Sequence, residues 1–392
     1  MEKIAAKATV LLSGILNFWK GLRDDQYGGY YGYVGQDLTL DKKAEKGCIL
    51  NSRILWFFSE AAMLLNRADL RTEADHAYLF FMNHCLDREN GGVFWSVAYD
   101  GTVLDDTKHT YNQAFAIYAL SSYYLLTQKK EALETAFSIY ERLENTCRDT
   151  EGYLEAFTGR WALQSNEKLS ENGVLADKTM NTLLHVFEAY TNLYRVSASP
   201  RVAQSMKDCI RIFSTKIYDA DNRRQRVFFD AQYHSILDIT SFGHDIEASW
   251  LFDEGVNLLQ DPALRKEIEA IDTNLAEAVY ERAYRNHSIL NECERGIIDE
   301  TRVWWVQAEA VVGFVNLWSK CKKPQYGNAA CDILSFIQEK LVDTRPKSEW
   351  FWCLDADGVP IPGKPIVEPW KCPYHNGRMC MELIRRDPEI YV

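Results

Sequence analysis

The chain has 392 residues, 47% of them hydrophobic and 26% charged, and carries a net charge of −12 at neutral pH. That balance is globular and excludes a disordered chain, and the acidic surplus argues against a nucleic-acid or anionic-membrane surface. Ten cysteines without a C-x-x-C pair suit neither a disulfide scaffold nor a zinc knuckle and read as reduced thiols of a cytoplasmic protein. Aromatic residues reach 13%, with 11 Trp and 21 Tyr. Rings with polar edges in that number suit a site where a polar ligand is stacked and hydrogen-bonded.

Taken in chain order, the first predicted element is a helix, because Ile4, Leu11, Ile15, Phe18 and Trp19 recur at helical spacing. No small-x-small cleavage signal precedes Trp19, so this stretch is not read as a leader. A Gly-rich mark, "DDQYGGYYGYV" (24–34), precedes the helix "RILWFFSEAAMLLN" (53–66). "ENGGVFWSVAYDG" (89–101) then precedes "YNQAFAIYALSSYYLL" (111–126), and "DTEGYLEAFTG" (149–159) precedes "MNTLLHVFEAYTNLYRV" (180–196). The next mark, "NRRQRVFFDAQ" (222–232), holds the nearest thing to a basic run and reads as a solvated turn. It leads to the helix "IEASWLFDEGVNLL" (246–259). Two weaker marks, "ERGIIDETRVWW" (294–305) and "SEWFWCLDADG" (348–358), flank the helix "WVQAEAVVGFVNLW" (305–318).

The marks recur at an interval long enough for two helices, and several helices are apolar on more than one face. Such helices suit a sandwiched position between an outer layer and a centre. The reading is an all-α chain, a single (α/α)6-barrel domain over 1–392, with six inner and six outer helices and short strand-like turns at one end. An open solenoid is the alternative, and the unequal repeats and aromatic turns favour closure. No GxGxxG or GxxxxGK[ST] motif occurs, so no nucleotide cofactor is expected. No stretch reaches transmembrane length without charges.

In such a barrel, function belongs at the end where inner helices begin. His109, His185, His244 and His375 fall near those starts, as do Arg53 and Arg302. His76, His84, His234 and His287 sit in less distinctive places and are expected at the surface or behind the site. His244 and Glu247 lie one helical turn apart on one face. Three readings are open: a metal pair, a polar helix start, and an acid–base unit. "HDIE" is not H-E-x-x-H and lacks a dense set of further ligands, so no metal is expected. The acid–base reading carries most weight, with Glu247 supporting His244 and His375 as counterpart.

Arg53 suits a developing oxyanion, and Asn181 shares a face with His185. Trp352 and Trp370 suit sugar rings. Of the adjacent Trp304 and Trp305, one is expected to face inward and the other to pack outward. Glu309, one turn beyond Trp305, is expected to make a buried hydrogen bond.

Eight stretches, in order along the chain, carry a resemblance: "LRDDQYGGYYGY", "NSRILWFFSEA", "GGVFWSVAYDG", "KHTYNQAFAIYALSSYY", "ADKTMNTLLHVFEAY", "SFGHDIEASWL", "TRVWWVQAEAVVGF" and "PWKCPYHNGRMCMELI". Together they resemble the cellobiose 2-epimerase family of the N-acylglucosamine 2-epimerase superfamily. The resemblance implies an (α/α)6 barrel that converts the reducing-end glucose of a β-1,4-linked disaccharide to mannose without nucleotide or metal. It implies His244 and His375 as the acid–base pair, with Glu247 supporting the former. Arg53, Asn181 and His185 would hold the reducing-end oxygens. Trp370 and one of Trp304 and Trp305 would form the aromatic wall, and Trp352 the platform for the second sugar. A disaccharide is the expected partner, with no nucleic acid or membrane, in a monomer or a homodimer. The rival readings are an N-acylglucosamine 2-epimerase, a monosaccharide aldose–ketose isomerase, and a glycoside hydrolase on the same barrel. The hydrolase would need two carboxylates across a glycosidic bond, where this chain places His, Trp and Arg.

Overall fold

A computed structural model describes residues 2–168 and 173–391. Its helices are α1 (Ile4–Lys20), α2 (Cys48–Leu65), α3 (Ala68–Phe80), α4 (Thr110–Thr127), α5 (Lys130–Arg142) and α6 (Met180–Ser197). They continue as α7 (Pro200–Ile212), α8 (Phe242–Leu259), α9 (Pro262–Ala283), α10 (Trp304–Cys321), α11 (Pro324–Phe336) and α12 (His375–Arg386). The even-numbered helices form an inner ring, each against the next, and α12 closes it by meeting both α10 and α2. The odd-numbered helices form the outer layer, and α1 packs on α12. The chain ends therefore meet: Ile4 N donates to Ile390 O at 3.0 Å, and Lys3 reaches Asp387 at 2.9 Å. This is the (α/α)6 toroid.

The two layers differ as the sequence pattern requires. Inner helix α2 is buried without interruption from Cys48 to Ala62, because neighbours flank it on both sides and the outer layer covers its back. Outer helix α7 buries only a stripe that includes Val202, Met206, Cys209 and Ile210. By length and composition α2, with 18 residues, could cross a membrane, but here it is an inner-ring helix that carries the buried Arg53 and Glu60.

Connections at the two ends of the barrel are unlike. Each of α2, α4, α6, α8 and α10 ends in a left-handed residue, Asn66, Gln128, Ala198, Gln260 or Lys322, at φ between 49° and 59°. The outer helix begins two residues later, with Pro200, Pro262 and Pro324 at first helical positions. At the other end the connections are long and hold the six marks as very short antiparallel strands. Lys46–Gly47 pairs with Ser96–Val97, Lys108–His109 with Ala156–Phe157, and Lys178–Thr179 with Phe228–Phe229. Ile239–Ser241 pairs with Glu292–Glu294, and Arg302–Val303 with Cys353–Leu354. Each strand that enters an inner helix is thus tied to the following connection, so the rim is laced around the inner-helix starts.

Ion pairs with buried lysines hold this rim. Lys46 bonds Asp24, Lys108 bonds Asp87, and Lys178 bonds Asp149, each at 2.7 Å. Lys371 bonds Glu349 at 2.5 Å ahead of α12. The aspartates also accept backbone N–H groups of their own turns, as Asp87 does from Glu89 and Asn90. At Gly92 (φ +73°) a Cβ would come within 2.6 Å of Gln113 and Trp161, which is why that turn needs glycine.

The basic run is a solvated turn only at Asn222 and Arg223, the tip of a hairpin. Arg224–Gln225 forms a hairpin with Tyr218–Asp219. Gln225 is buried, and its amide donates to the His244 carbonyl at 2.9 Å, bracing the first turn of α8.

Candidate active site

A cavity of about 170 Å³ opens where the inner helices begin. Two roomier grooves, of about 600 and 680 Å³, lie elsewhere, but the small cavity gathers the imidazoles. Arg53, Asn181, His185, His244, Glu247, Trp304, Trp305, Trp352, Trp370 and His375 all line it. Tyr111, Ser241, Asn291, Glu292 and Val303 line it as well, and sequence reasoning did not single them out. His109 is not among the lining residues: it is buried, with Nε2 at 3.1 Å from Asn166 Oδ1. His76, His84, His234 and His287 also lie off the cavity, bonded to Gly29 O, Gly101 O, Asp230 and Asp332.

Each of the three lining imidazoles is anchored through Nδ1. His375 Nδ1 lies 2.8 Å from Glu309 Oε1, His185 Nδ1 lies 2.8 Å from Glu188 Oε2, and His244 Nδ1 lies 2.7 Å from Ser241 Oγ. Among the described residues no protein group bonds any of the three Nε2 atoms, which leaves them to the cavity. Burial lowers the pKa of all three. Desolvation, then the neighbouring His185 and His375, brings His244 down to about 3. His185 and His375 are lowered first by desolvation and further by Arg53 and Arg378. All three are therefore neutral at pH 7.

The expected support of His244 by Glu247 is not what the structure shows. The helical turn between them carries Glu247 away from His244 and toward α12, where Glu247 Oε1 accepts from Arg378 Nη2. Ser241 takes the supporting position. Glu309, expected only to make a buried hydrogen bond, is the carboxylate that holds His375 in the cavity.

Arg378 is a hub missed by sequence reasoning. Its Nη2 donates to Glu247 and, at 2.7 Å, to Glu309, while Nη1 donates to Glu188. Tyr374 Oη also donates to Glu188, at 2.5 Å. Three buried carboxylates thus share one guanidinium. Burial opposes ionisation of Glu188, but Arg378 and His185 outweigh it and hold the pKa near 2. Burial, then repulsion from Glu309, pushes Glu247 up to about 8. Glu247, Glu309 and His375 bring ligand-type atoms within 4.8 Å of one another. The Arg378 guanidinium, bonded to both carboxylates, already occupies the cationic position, so this donor set does not fit a divalent metal.

Both adjacent tryptophans line the cavity, contrary to the expectation that one packs outward. They form the first turn of α10, at the end of the barrel where the inner helices begin. Trp304 packs on Trp352 with ring centroids 4.8 Å apart. Trp305 stands between the histidines, 4.7 Å from His244 and 5.3 Å from His375. Gly243 permits this, since a Cβ there would meet the Trp305 ring at 2.5 Å. On the opposite wall Arg53 Nη2 donates to Tyr111 Oη at 2.8 Å, and its guanidinium lies over Phe115 at 4.1 Å. Among the described residues, Arg53 Nε, Asn181 Oδ1, Glu247 Oε2 and Trp304 Nε1 are buried polar atoms without protein partners. A cavity lined by such atoms suits a ligand dense in hydroxyls.

A toroid of helix pairs with anchored imidazoles, an aromatic wall and a buried arginine is the architecture of a carbohydrate isomerase. The profile of the N-acylglucosamine 2-epimerase (GlcNAc 2-epimerase) family matches residues 29–376, and the chain belongs to that family. It is 49% identical over 397 aligned positions to the cellobiose 2-epimerase of Eubacterium cellulosolvens, covering 97% of this chain and 98% of that one. A sugar epimerase from a ruminal bacterium superposes with a TM-score of 0.97 at 45% identity, covering 99% of this chain and 100% of that one. The cellobiose 2-epimerase of Bacillus thermoamylovorans B4167 superposes with a TM-score of 0.94 at 42% identity, covering 97% and 99%.

Proposed function

We propose that this enzyme reversibly epimerises C2 of the reducing-end glucose of β-1,4-linked disaccharides, cellobiose and lactose among them. The observation that carries the reading is the set of imidazoles, each held at Nδ1 and turning Nε2 to one cavity. C2–H of a closed ring is not acidic, so the ring opens first, with His185 moving the proton between O5 and O1. The aldehyde at C1 then activates C2–H. One imidazole Nε2 takes the C2 proton, and the electron pair moves onto O1 as a cis-enediolate. Arg53, fully buried and without a carboxylate partner among the described residues, stabilises that charge. The second imidazole returns a proton to C2 from the other face, and the aldehyde re-forms inverted.

The anchors fit the two roles. Glu309 accepts from His375 Nδ1–H, leaving the Nε2 lone pair as base and stabilising the imidazolium that forms. Ser241 can donate to His244 Nδ1, leaving Nε2 protonated as acid. A hydroxyl also accepts, so His244 can hold either tautomer, as a reversible reaction requires. The test is product analysis on cellobiose, lactose, mannose and N-acetylglucosamine. The expected result is the C2 epimer of the disaccharides at higher kcat/KM, without free glucose. A preference for either monosaccharide, or glucose release from cellobiose, contradicts the reading.

A further inference from the structure

A basic residue stands ahead of five of the six inner helices, α8 having Thr240 at that place, and in four of the five it meets a carboxylate. Lys46, Lys108, Lys178 and Lys371 are each paired. Arg302, two residues before α10 and 3% exposed, is not. Its Nε donates to Ser288 Oγ at 2.9 Å, and Nη1 donates to the Glu300 carbonyl. Among the described residues no carboxylate lies within ion-pairing distance of it. A guanidinium withdrawn from water without an anion is unfavourable, and desolvation lowers its pKa despite the more distant Glu300 and Asp299.

Side chains alternate across a strand. Val303 faces the active-site cavity, and Arg302 opens on a separate cavity of about 600 Å³ behind that wall. Asn286, Ser335 and the half-buried Phe336 ring line this second cavity. Its other charged or titratable lining residues are Asp332, paired with His287, and the exposed Glu339, Lys340 and Asp357.

We propose that this cavity binds a small hydroxylated carboxylate of the sugar-acid class, whose carboxylate takes on Arg302 the place that Asp24, Asp87 and Asp149 take in the earlier repeats. A planar guanidinium matches a carboxylate in a two-pronged bond. Asn286 and Ser335 are neutral partners for hydroxyls, and Phe336 offers a ring face. The acids Asp332, Glu339 and Asp357 outnumber Lys340 and repel a phosphate dianion more than a monoanion. The site is independent of the epimerase reaction proposed above.

The test is calorimetric titration and thermal melting of the intact enzyme with gluconate, acetate and inorganic phosphate at constant ionic strength. Gluconate is expected to bind saturably and raise Tm, with acetate weaker and phosphate weakest. Ser288→Asp supplies an internal carboxylate like those of the earlier repeats. It is expected to raise Tm without ligand and weaken gluconate at least ~tenfold, with epimerisation unchanged. Arg302→Gln is expected to abolish binding, and the Ser288→Asp arm stands should that variant fold poorly. The proposal is overturned if gluconate does not saturate, if Ser288→Asp binds it as tightly as the parent, or if acetate or phosphate binds better than gluconate.

Discussion

Glu247 and Glu309 reach the same nitrogen of Arg378, yet only Glu309 also holds an imidazole at hydrogen-bond distance. Glu309→Gln is therefore expected to lower kcat by roughly 10²-fold or more with KM little changed, because an amide no longer dictates the His375 tautomer. Glu247→Gln is expected to cost less, since the native carboxyl is already protonated at pH 7; steady-state kinetics of both variants decides. The pH profile of kcat/KM carries the same signature. A base active when neutral is lost on protonation, and the imidazole pKa values are lowered, so the acid limb is expected below the ordinary histidine value of about 6.5. Glu247, pushed up to about 8, loses its proton above that pH. A basic limb near 8 is expected, and it should vanish in Glu247→Gln. An acid limb at or above 6.5 contradicts this electrostatic picture. The residue pattern was half legible in the chain. "HVFE" and "HDIE" place a histidine and a glutamate at the same spacing, but only His185–Glu188 forms a pair. Arg378 reaches both glutamates from more than a hundred positions away, so what separates them is Ser241, which takes His244 Nδ1 at 2.7 Å and leaves Glu247 to the guanidinium.

Inner helices begin at a rim stitched by two- and three-residue strands, and the Asp–Lys pairs hold that rim in register. Asp87→Ala leaves Lys108 charged and buried, so a loss of about 3–5 kcal/mol is expected by denaturant unfolding. Replacing Asp87 and Lys108 together with apolar residues should recover much of it. A loss below about 1 kcal/mol in Asp87→Ala would show that the pair is not what secures the start of α4. The helices themselves were legible from apolar periodicity, because sandwiched inner helices and striped outer ones leave different patterns. The rim strands were legible only as aromatic, Gly-rich marks, since so few residues cannot display alternation. The Asp–Lys pairs were not legible: partners such as Lys178 and Asp149 are separated by a whole connection. Internal similarity too weak to align repeats hides such a pattern.

At the scale of the molecule, closure by α12 against both α2 and α10 brings side chains from every inner helix to one cavity, which explains why catalytic candidates are scattered along the chain. The unequal repeats and aromatic turns favoured this closure, but that both Trp304 and Trp305 line the cavity was not legible from their adjacency. Trp304 and Trp352 offer contiguous ring surface beyond the histidines. Trp352→Ala is expected to lower kcat/KM for cellobiose more than for a monosaccharide, by an amount comparable to a lost stacking platform, about 1–3 kcal/mol. Equal losses on both sugars would remove Trp352 from the outer-ring site. The central claim is that His244 and His375 exchange protons with C2 from opposite faces, and epimerisation in D2O tests it most directly. The expected result is deuterium at C2 of the epimer, with His244→Asn and His375→Asn each lowering kcat about 10²–10⁴-fold. One variant should still wash deuterium into unconverted substrate. Product without deuterium at C2, or full activity in either variant, would contradict the two-base account.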